Sequence, residues 1–364
     1  MEKVVVGMSG GVDSSVAAYL LKEQGYDVIG ITMQIWQDED VCKMEENGGC
    51  CGLSAVEDAR RVAAVLDIPY YVMNFKQEFK TSVIDYFVSE YRNARTPNPC
   101  IACNRYVKWE ALLNKSLGIG ASYIATGHYA KILKLDNGRY TIQKSVTKEK
   151  DQTYALYNLS QSQLAHTLMP VGAYSKEEIR QIAFDQKLPV ASKPDSQEIC
   201  FVSNNDYAGF ITDYLKENKQ DNFTGLEPGN FVNTKGEIIG QHKGLIHYTV
   251  GQRKGLNLAM GHPVFVVELD PEKNQVVIGD SNEVFSDRLV ANRLNFMAIE
   301  DLEDEMTVEA KIRYSHKGAR CRIKKTGKDE VLCIFEEPQR AITPGQAVVF
   351  YQDDYIVGGG TIIK

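Results

Sequence analysis

A continuous apolar run at residues 3–8, Lys-Val-Val-Val-Gly-Met, ends directly in Ser9-Gly10-Gly11-Val12-Asp13-Ser14-Ser15. The residues that follow place Val16 with Leu20 and Ala17 with Leu21 on one face of a helix that Gly25 closes. A buried strand running through a glycine turn into a helix is the opening of a parallel α/β layer, and few other folds accommodate it. The alternation continues through about residue 130 with a second strand at 27–35 and a helix at 55–66, for which Ser54 and Glu57 predict a capping box. A third strand follows at 69–75, then a helix carrying Phe79, Val83 and Phe87. The segment 95–104 (RTPNPCIACN) predicts a loop because of its two prolines, 108–118 a further helix, and 122–130 (SYIATGHYA) a strand with a polar end.

The texture changes near residue 131. A hairpin is expected around Asp136, Asn137 and Gly138, and 160–188 is expected to be mostly helical, with Ser175 capping KEEIRQIAFDQKL. Beyond about 208, glycines and two hairpin signals, at 263–280 and 335–364, predict β structure. The expected fold is therefore an α/β doubly wound parallel sheet with a helical appendage (1–207), a small β-rich central domain (208–281) and a C-terminal β-barrel (282–364).

With 43% hydrophobic and 24% charged residues in a chain of 364, disorder is excluded, and no run approaches the roughly 18 apolar residues of a membrane helix. The N-terminus enters a strand at once, so no signal peptide and a cytoplasmic location are expected. Forty-one basic against 48 acidic residues give a net charge of −7, so a polyanionic partner must meet a local basic patch. The eight cysteines include clusters at Cys42, Cys50 and Cys51 and at Cys100 and Cys103, with Cys200 alone and Cys321 and Cys333 in β patterns. In a reducing compartment such clusters suggest metal, sulfur or redox chemistry before a disulfide framework. Cys321 and Cys333 read as small buried hydrophobes, and a Zn²⁺ site at Cys42, Cys50 and Cys51 is only weakly signalled.

The glycine loop predicts a phosphate site. Glycines let the backbone approach an anion, the helix N-terminus offers N–H groups and partial positive charge, and serine hydroxyls add donors. Neither a Gly-Lys-Ser/Thr ending nor G-x-G-x-x-G is present, so an ordinary P-loop and a dinucleotide fold are both excluded. Asp13 at such a site makes sense if it holds a cation such as Mg²⁺. SGGVDSS resembles the signature of the PP-loop ATP pyrophosphatases, which cleave ATP between its α and β phosphates and activate an oxygen by transferring AMP to it.

Further segments narrow the resemblance. Thr96-Pro97-Asn98-Pro99-Cys100-Ile101-Ala102-Cys103-Asn104 and Ser196-Gln197-Glu198-Ile199-Cys200-Phe201, with GMSGGVDSSV, ATGHYA, KDQTYALY and YTVGQRKGL, are similar along essentially the whole chain to the tRNA-specific 2-thiouridylases. The resemblance implies that Cys103 is the nucleophile and that Cys200 carries a persulfide delivered by a sulfur-donor protein. It implies ATP contacts at Gly7, Met8, Ser9, Gly10, Gly11, Val12, Asp13, Ser14, Met33 and Gly127. It implies a target-base loop at Asn98, Pro99 and Cys100, tRNA contacts at Lys150, Asp151, Gln152, Arg313 and Tyr314, and positions near the RNA at His128 and Gln346. The chemistry agrees with these roles: the C2 oxygen of uracil leaves poorly until it is adenylated, after which a soft sulfur nucleophile displaces AMP. Many relatives carry aspartate where this chain has Cys100. That difference creates a C-x-x-C pair which, with Cys200, could supply three thiolates to an iron–sulfur cluster or Zn²⁺; a redox pair or an unengaged thiol is the alternative.

Two basic stretches answer the acidic average. Residues 310–328 contain Lys311, Arg313, Lys317, Arg320, Arg322, Lys324, Lys325 and Lys328 without an acid, and Arg92, Arg95, Arg105 and Lys108 stand with none between Glu90 and Glu110. Phosphate contact is the functional use of such runs, and a solvated charged face is the ordinary one. Another PP-loop ligase or amidotransferase would have no need of Cys103 and Cys200, and a non-catalytic RNA-binding or iron–sulfur protein no need of an intact SGGVDSS.

Overall fold

The structure is a computed structural model that describes residues 1–35, 53–195, 199–202, 205–220 and 223–364. Cys42, Cys50, Cys51 and the stretch 196–198 lie outside the described residues.

Among the described residues the first layer is a parallel sheet in the order Tyr70–Asn74, Asp27–Gln34, Lys3–Gly7, Tyr123–Ala125, Thr167–Leu168. Val4, Val5 and Val6 in the central strand are fully buried, as a strand covered on both faces requires. Helix Val12–Glu23 follows the glycine loop and buries Val16, Ala17, Leu20 and Leu21. The chain leaves the central strand toward Asp27–Gln34 on one side, and Tyr123–Ala125 lies on the other. The crevice at the carboxyl ends of the central strand and Tyr123–Ala125 is thus a topological switch point, where open α/β sheets bind ligands.

Two local expectations are corrected. Pro99 does not hold the chain in a loop: it is the first residue of helix Pro99–Ala102, capped by the Asn98 side chain, which accepts from the Cys100 N–H at 3.0 Å. Proline is suited to that position because the N–H it lacks would have no partner in the helix anyway. The helix then runs on through wide π-type turns, Cys103–Leu112, into Leu113–Gly118. Ser54 lies inside helix Leu53–Val65 and so does not cap it. Residues 160–188 are mostly helical, as expected, in the helices Gln161–Ala165 and Lys176–Asp185 and the 3-10 turn Pro170–Ala173, with the short strand Thr167–Leu168 between them. Ser175 does form the expected capping box with Glu178.

The hairpin Ala130–Lys134 and Tyr140–Lys144 leaves the first layer and joins the sheet of the C-terminal barrel, where Gln143 pairs with Tyr355. Asn137 and Arg139 fasten it by donating to the Ala298, Met297 and Phe296 carbonyls. The barrel closes because strand Phe285–Phe296 pairs with both Glu330–Arg340 and Tyr355–Ile362. Cys321 and Cys333 are fully buried in its core. Between the two units lies a sheet in the order Phe265–Asp270, Gln275–Gly279, Gly229–Asn233, Ile238–His242. It is preceded by helix Tyr207–Glu217, capped by Asp206, which the glycine-rich texture of the sequence obscured.

Candidate active site

The glycine loop is shaped by close approaches. Gly10 has φ +68°, and a Cβ there would stand 2.3 Å from the Ala55 carbonyl oxygen. Ser14 Oγ accepts from the Ser9 N–H at 3.2 Å and lies 3.3 Å from Ser9 Oγ, so the two hydroxyls turn inward at the helix N-terminus. Met8 is buried, and its carbonyl accepts from Thr32 Oγ1 at 2.7 Å. Gly127, just beyond strand Tyr123–Ala125, lies against the first turn: a Cβ on it would stand 2.5 Å from Ser14 N and 2.6 Å from the Asp13 carbonyl carbon. Met33 sits near the carboxyl end of the neighbouring strand, in register with Met73. The expected nucleotide residues thus gather at the switch point.

Sequence reasoning missed what surrounds Asp13. Lys176 Nζ bonds Asp13 Oδ1 at 2.7 Å and Oδ2 at 2.9 Å, and Tyr129 OH donates to Asp13 Oδ1 at 2.7 Å. The same ammonium reaches Asp195 Oδ1 at 2.8 Å. Asp195 also receives Arg180 at 3.1 Å and Lys150 at 2.9 Å. Burial works to raise the Asp195 carboxyl, but its bonds from Lys176 and Lys150 outweigh that and hold it below its ordinary value. The bond to Asp195 in turn raises the Lys150 ammonium, against a smaller opposing effect of burial. Lys193 Nζ donates to the Gly10 carbonyl at 3.0 Å and to Asp58 at 2.7 Å. Since a lysine ammonium already matches the Asp13 charge, the residues in this arrangement do not fit a Mg²⁺ ion held directly by Asp13.

One signal for this partner was available. Lys176 opens helix Lys176–Asp185, where a cation opposes the helix dipole. A lysine kept there, with its side chain only 8% exposed, must meet anions close by.

The cysteines border an extended apolar core. Cys103 and Cys200 are both half-buried and pack against the same apolar cluster, which includes Phe79, Phe87, Ile101, Ala102 and Phe201. Phe201 anchors the Cys200 segment edge-on to Phe79 and Phe87, at ring-centre distances of 5.8 and 5.3 Å. Cys100 is exposed. Among the described residues no three His, Cys, Asp or Glu side chains stand together in a way that could hold a metal ion.

The helix carrying Cys103 is clamped by residues 150–156. Asn104, buried, donates to the Ala155 carbonyl at 2.9 Å and accepts from Lys108 Nζ at 2.9 Å. His128 packs on Trp109 and bonds Thr126 Oγ1 through Nδ1 at 2.7 Å; burial first, and Lys108 second, push its pKa well below 6.5, so the ring is neutral at pH 7. Gln152 Oε1 accepts from the Tyr129 N–H at 2.9 Å. Asp151 is buried, with Oδ2 accepting from Thr153 at 2.7 Å and lying 3.9 Å from Lys311 Nζ, while its Oδ1 has no hydrogen-bond partner among the described residues. Tyr314 is exposed beside this carboxylate; partial burial and then the Asp151 charge raise its phenol, and Cys100 adds to the effect.

The loop ahead of Asn98 is held by both β units. Gln346 Nε2 donates to the Thr96 carbonyl at 2.7 Å, the Thr96 N–H to the Pro344 carbonyl at 2.9 Å, and Thr96 Oγ1 lies 3.2 Å from Thr249 Oγ1. The 310–328 basic run divides. Arg320, Arg322, Lys324 and Lys325 pair with Glu336, Glu305 and Asp301 on neighbouring barrel elements. Lys311 Nζ approaches Asp151, and Arg313 donates to the Arg340 carbonyl at 2.9 Å beside a groove of about 730 Å³ that His316, Lys317, the Arg320–Glu336 pair and Glu337 also line.

Residues 2–204 match the family model described as tRNA methyl transferase HUP domain, 212–280 that of the tRNA methyl transferase PRC-barrel domain, and 286–362 that of the aminomethyltransferase beta-barrel domain. The chain is 69% identical, over all of both chains, to tRNA-specific 2-thiouridylase MnmA of Lachnoclostridium phytofermentans. This chain belongs to the tRNA-specific 2-thiouridylase family. Identity is 55% to the Clostridioides difficile enzyme of that name, over 100% of this chain and 98% of the relative, and 59% to that of Acetivibrio thermocellus, over 99% of each. Membership explains why the glycine loop and the cysteine helix occur in one chain: the 2-thiouridylase segments that are scattered in sequence, 7–14, 96–104, 127–129, 150–156 and 200–201, meet around the switch point and the adjoining apolar cluster. Among the described residues no helix is long and apolar enough to cross a membrane.

Proposed function

We propose that this chain is an ATP-dependent tRNA-uridine 2-sulfurtransferase of the cytoplasm, built as a nucleotide-binding catalytic domain (1–207), a central β-rich domain (208–281) and a tRNA-contacting barrel (282–364). ATP lies with its phosphates at Gly7 to Ser14, against Gly127 and near Met33, where the first-turn N–H groups of helix Val12–Glu23 face the anion. The wobble uridine leaves its stack to enter beside Asn98, Pro99, Cys100 and His128. Its C2 oxygen attacks the α-phosphorus and pyrophosphate leaves. A Cys200 persulfide, loaded by a donor protein, attacks C2 through its terminal sulfur and AMP departs with the oxygen. The Cys103 thiolate then attacks Cys200 Sγ, the S–S bond breaks toward the uridine sulfur, and 2-thiouridine is released with a Cys103–Cys200 disulfide that a dithiol must reduce before the next turnover.

The observation that carries this reading is the packing of Cys103 and Cys200 on one apolar cluster, in a chain that matches 2-thiouridylases from end to end. The domain descriptions speak of methyl transfer, yet paired thiols serve sulfur chemistry, and a methyltransferase would have no use for them. Mg²⁺ accompanies ATP as a counter-ion of its phosphates, and the sulfur path runs through the two thiols without an iron–sulfur cluster. The test is mass spectrometry of wobble uridines after incubation with ATP, tRNA and a persulfide donor. A mass gain of one sulfur for one oxygen supports the proposal, and unaltered uridine under conditions where the protein binds both ATP and tRNA refutes it.

A further inference from the structure

The start of the barrel strand Ala347–Gln352 holds the segment 97–103 at both ends. Ahead of that segment, Gln346 Nε2 donates to the Thr96 carbonyl at 2.7 Å. Behind it, the Ala347 carbonyl accepts from Tyr154 OH at 2.8 Å, and the neighbouring Ala155 carbonyl accepts from Asn104 Nδ2 at 2.9 Å. Gln346 is itself fixed within the barrel: its N–H donates to the Thr343 carbonyl at 3.2 Å, and its carbonyl accepts from the Ile362 N–H at 2.8 Å. The turn before it rides on the catalytic loop, since Gly345 has φ +91° and a Cβ there would stand 2.9 Å from both Arg95 Cβ and Thr96 N. A second support comes from 248–256, YTVGQRKGL, a segment to which the functional reading gives no role. Thr249 Oγ1 lies 3.2 Å from Thr96 Oγ1, and the Thr249 N–H donates to Gln252 Oε1 at 3.0 Å. Gly251, at φ +86°, lies so close to the barrel that a Cβ would stand 2.5 Å from Ala341 Cβ, and its carbonyl accepts from Arg340 Nη2 at 3.3 Å.

We propose that Gln346 is a positioning residue, which by fixing the Thr96 carbonyl sets where the cysteine helix begins and so where Cys100 and Cys103 stand toward the activated base. The inference rests on the functional reading above, in which Cys103 resolves the sulfur transfer. The family resemblance puts Gln346 near the RNA, but its N–H donor is taken up by protein backbone. Thr249 supports the same residue from the central sheet, which gives the YTVGQRKGL turn its use. The stiffness of the next residues carries the position onward. Thr96 and Asn98 each precede a proline, and the rings of Pro97 and Pro99 fix their own φ, so four residues in a row have few soft torsions. A shift at Thr96 is therefore passed to the Asn98 cap and the first turn of helix Pro99–Ala102 instead of being absorbed before them.

The test measures kcat for thiolation of an unmodified tRNA transcript bearing a wobble uridine, with ATP and a persulfide donor, and separately the dissociation constant of that transcript, on the full chain. Gln346→Met, similar in size and without a donor, should lower kcat about tenfold or more while the dissociation constant stays within about twofold. Gln346→His, which keeps an N–H donor, should recover part of the rate. Thr249→Val should also lower kcat, and combining it with Thr96→Val should add nothing further, because both remove one contact. A dissociation constant raised about fivefold in Gln346→Met, with kcat at saturating tRNA near the wild-type value, is the pattern of direct RNA contact and overturns the proposal. So does a wild-type kcat in both Gln346→Met and Thr249→Val. Amide hydrogen exchange without tRNA reads the same point independently of turnover: amides of 98–104 should exchange faster in Gln346→Met while the barrel strands keep their rates, and equal loosening of both overturns the proposal. A wild type that binds ATP and tRNA yet does not thiolate overturns the functional reading alone, and the exchange pattern still decides whether Gln346 sets the helix start.

Discussion

Replacing Gly127 by alanine tests whether the loop after strand Tyr123–Ala125 sets the position of the nucleotide loop. The new Cβ would lie 2.5 Å from Ser14 N, 2.6 Å from the Asp13 carbonyl carbon and 2.9 Å from Asp13 Cβ. Ordinary contact begins near 3.4 Å, so backbone must retreat by about 0.9 Å, and no flexible side-chain end is available to absorb the movement. Overpacking of this kind costs about 1–3 kcal/mol. If the first turn of helix Val12–Glu23 gives way, the cost falls on phosphate binding, and α,β-methylene-ATP should bind about 5- to 150-fold more weakly. If the loop refuses to move, the cost falls on the fold and lowers the melting temperature by about 2–4 °C for each kcal/mol. Calorimetric titration and thermal unfolding on one preparation separate these outcomes. Gly118→Ala is the control, since a Cβ there meets nothing within 4 Å and the residue ends a helix. An analogue affinity and a melting temperature both unchanged in Gly127→Ala would refute the reasoning.

Cys103→Ser and Cys200→Ser should each abolish 2-thiouridine formation while leaving tRNA affinity within about twofold, measured by filter binding; residual thiolation above a few per cent in either would remove that cysteine from the sulfur path. Cys100→Asp should keep most activity if Cys100 is a bystander, and iron analysis of anaerobically purified protein decides whether it is instead a cluster ligand. Arg313→Ala should weaken tRNA binding and lower its salt slope by about one unit, whereas Arg322→Ala, whose partner is Glu305, should leave the slope unchanged. Burial, as the largest cause, pushes His128, His242, His247 and His316 below 6.5. Each therefore binds a proton more readily when unfolded, and the stability this contributes is present above pH 6.5 and lost as pH falls through the lower folded values. The urea midpoint should drop between pH 7.5 and 5, and less in His128→Gln; equal slopes in the two proteins would contradict the assignment.

The parallel layer was legible because its signals are local. Three consecutive valines, a glycine turn and a helical face within the first 25 residues specify a buried strand and the loop that leaves it. The barrel's last hairpin was legible for the same reason. What failed was context. Pro99 reads as a breaker by composition, but Asn98 ahead of it supplies a side-chain cap and turns the proline into a helix start, which moves Cys100 and Cys103 from a loop onto a helix. The basic run at 310–328 has no acid within it, yet strand pairing brings Glu305 and Glu336 alongside, and these neighbours are invisible to any window along the chain.

The same limit changes the reading of Asp13. From sequence, a carboxylate in a phosphate loop has no cation within reach, and a metal ion is the natural inference. Folding supplies an ammonium from a residue 163 positions away, placed at a helix start where its charge opposes the dipole and is stable only against nearby anions. That lysine also bonds Asp195, whose other partners include Lys150 and Arg180, so the charge around the glycine loop is set by one connected network that no window along the chain could reveal.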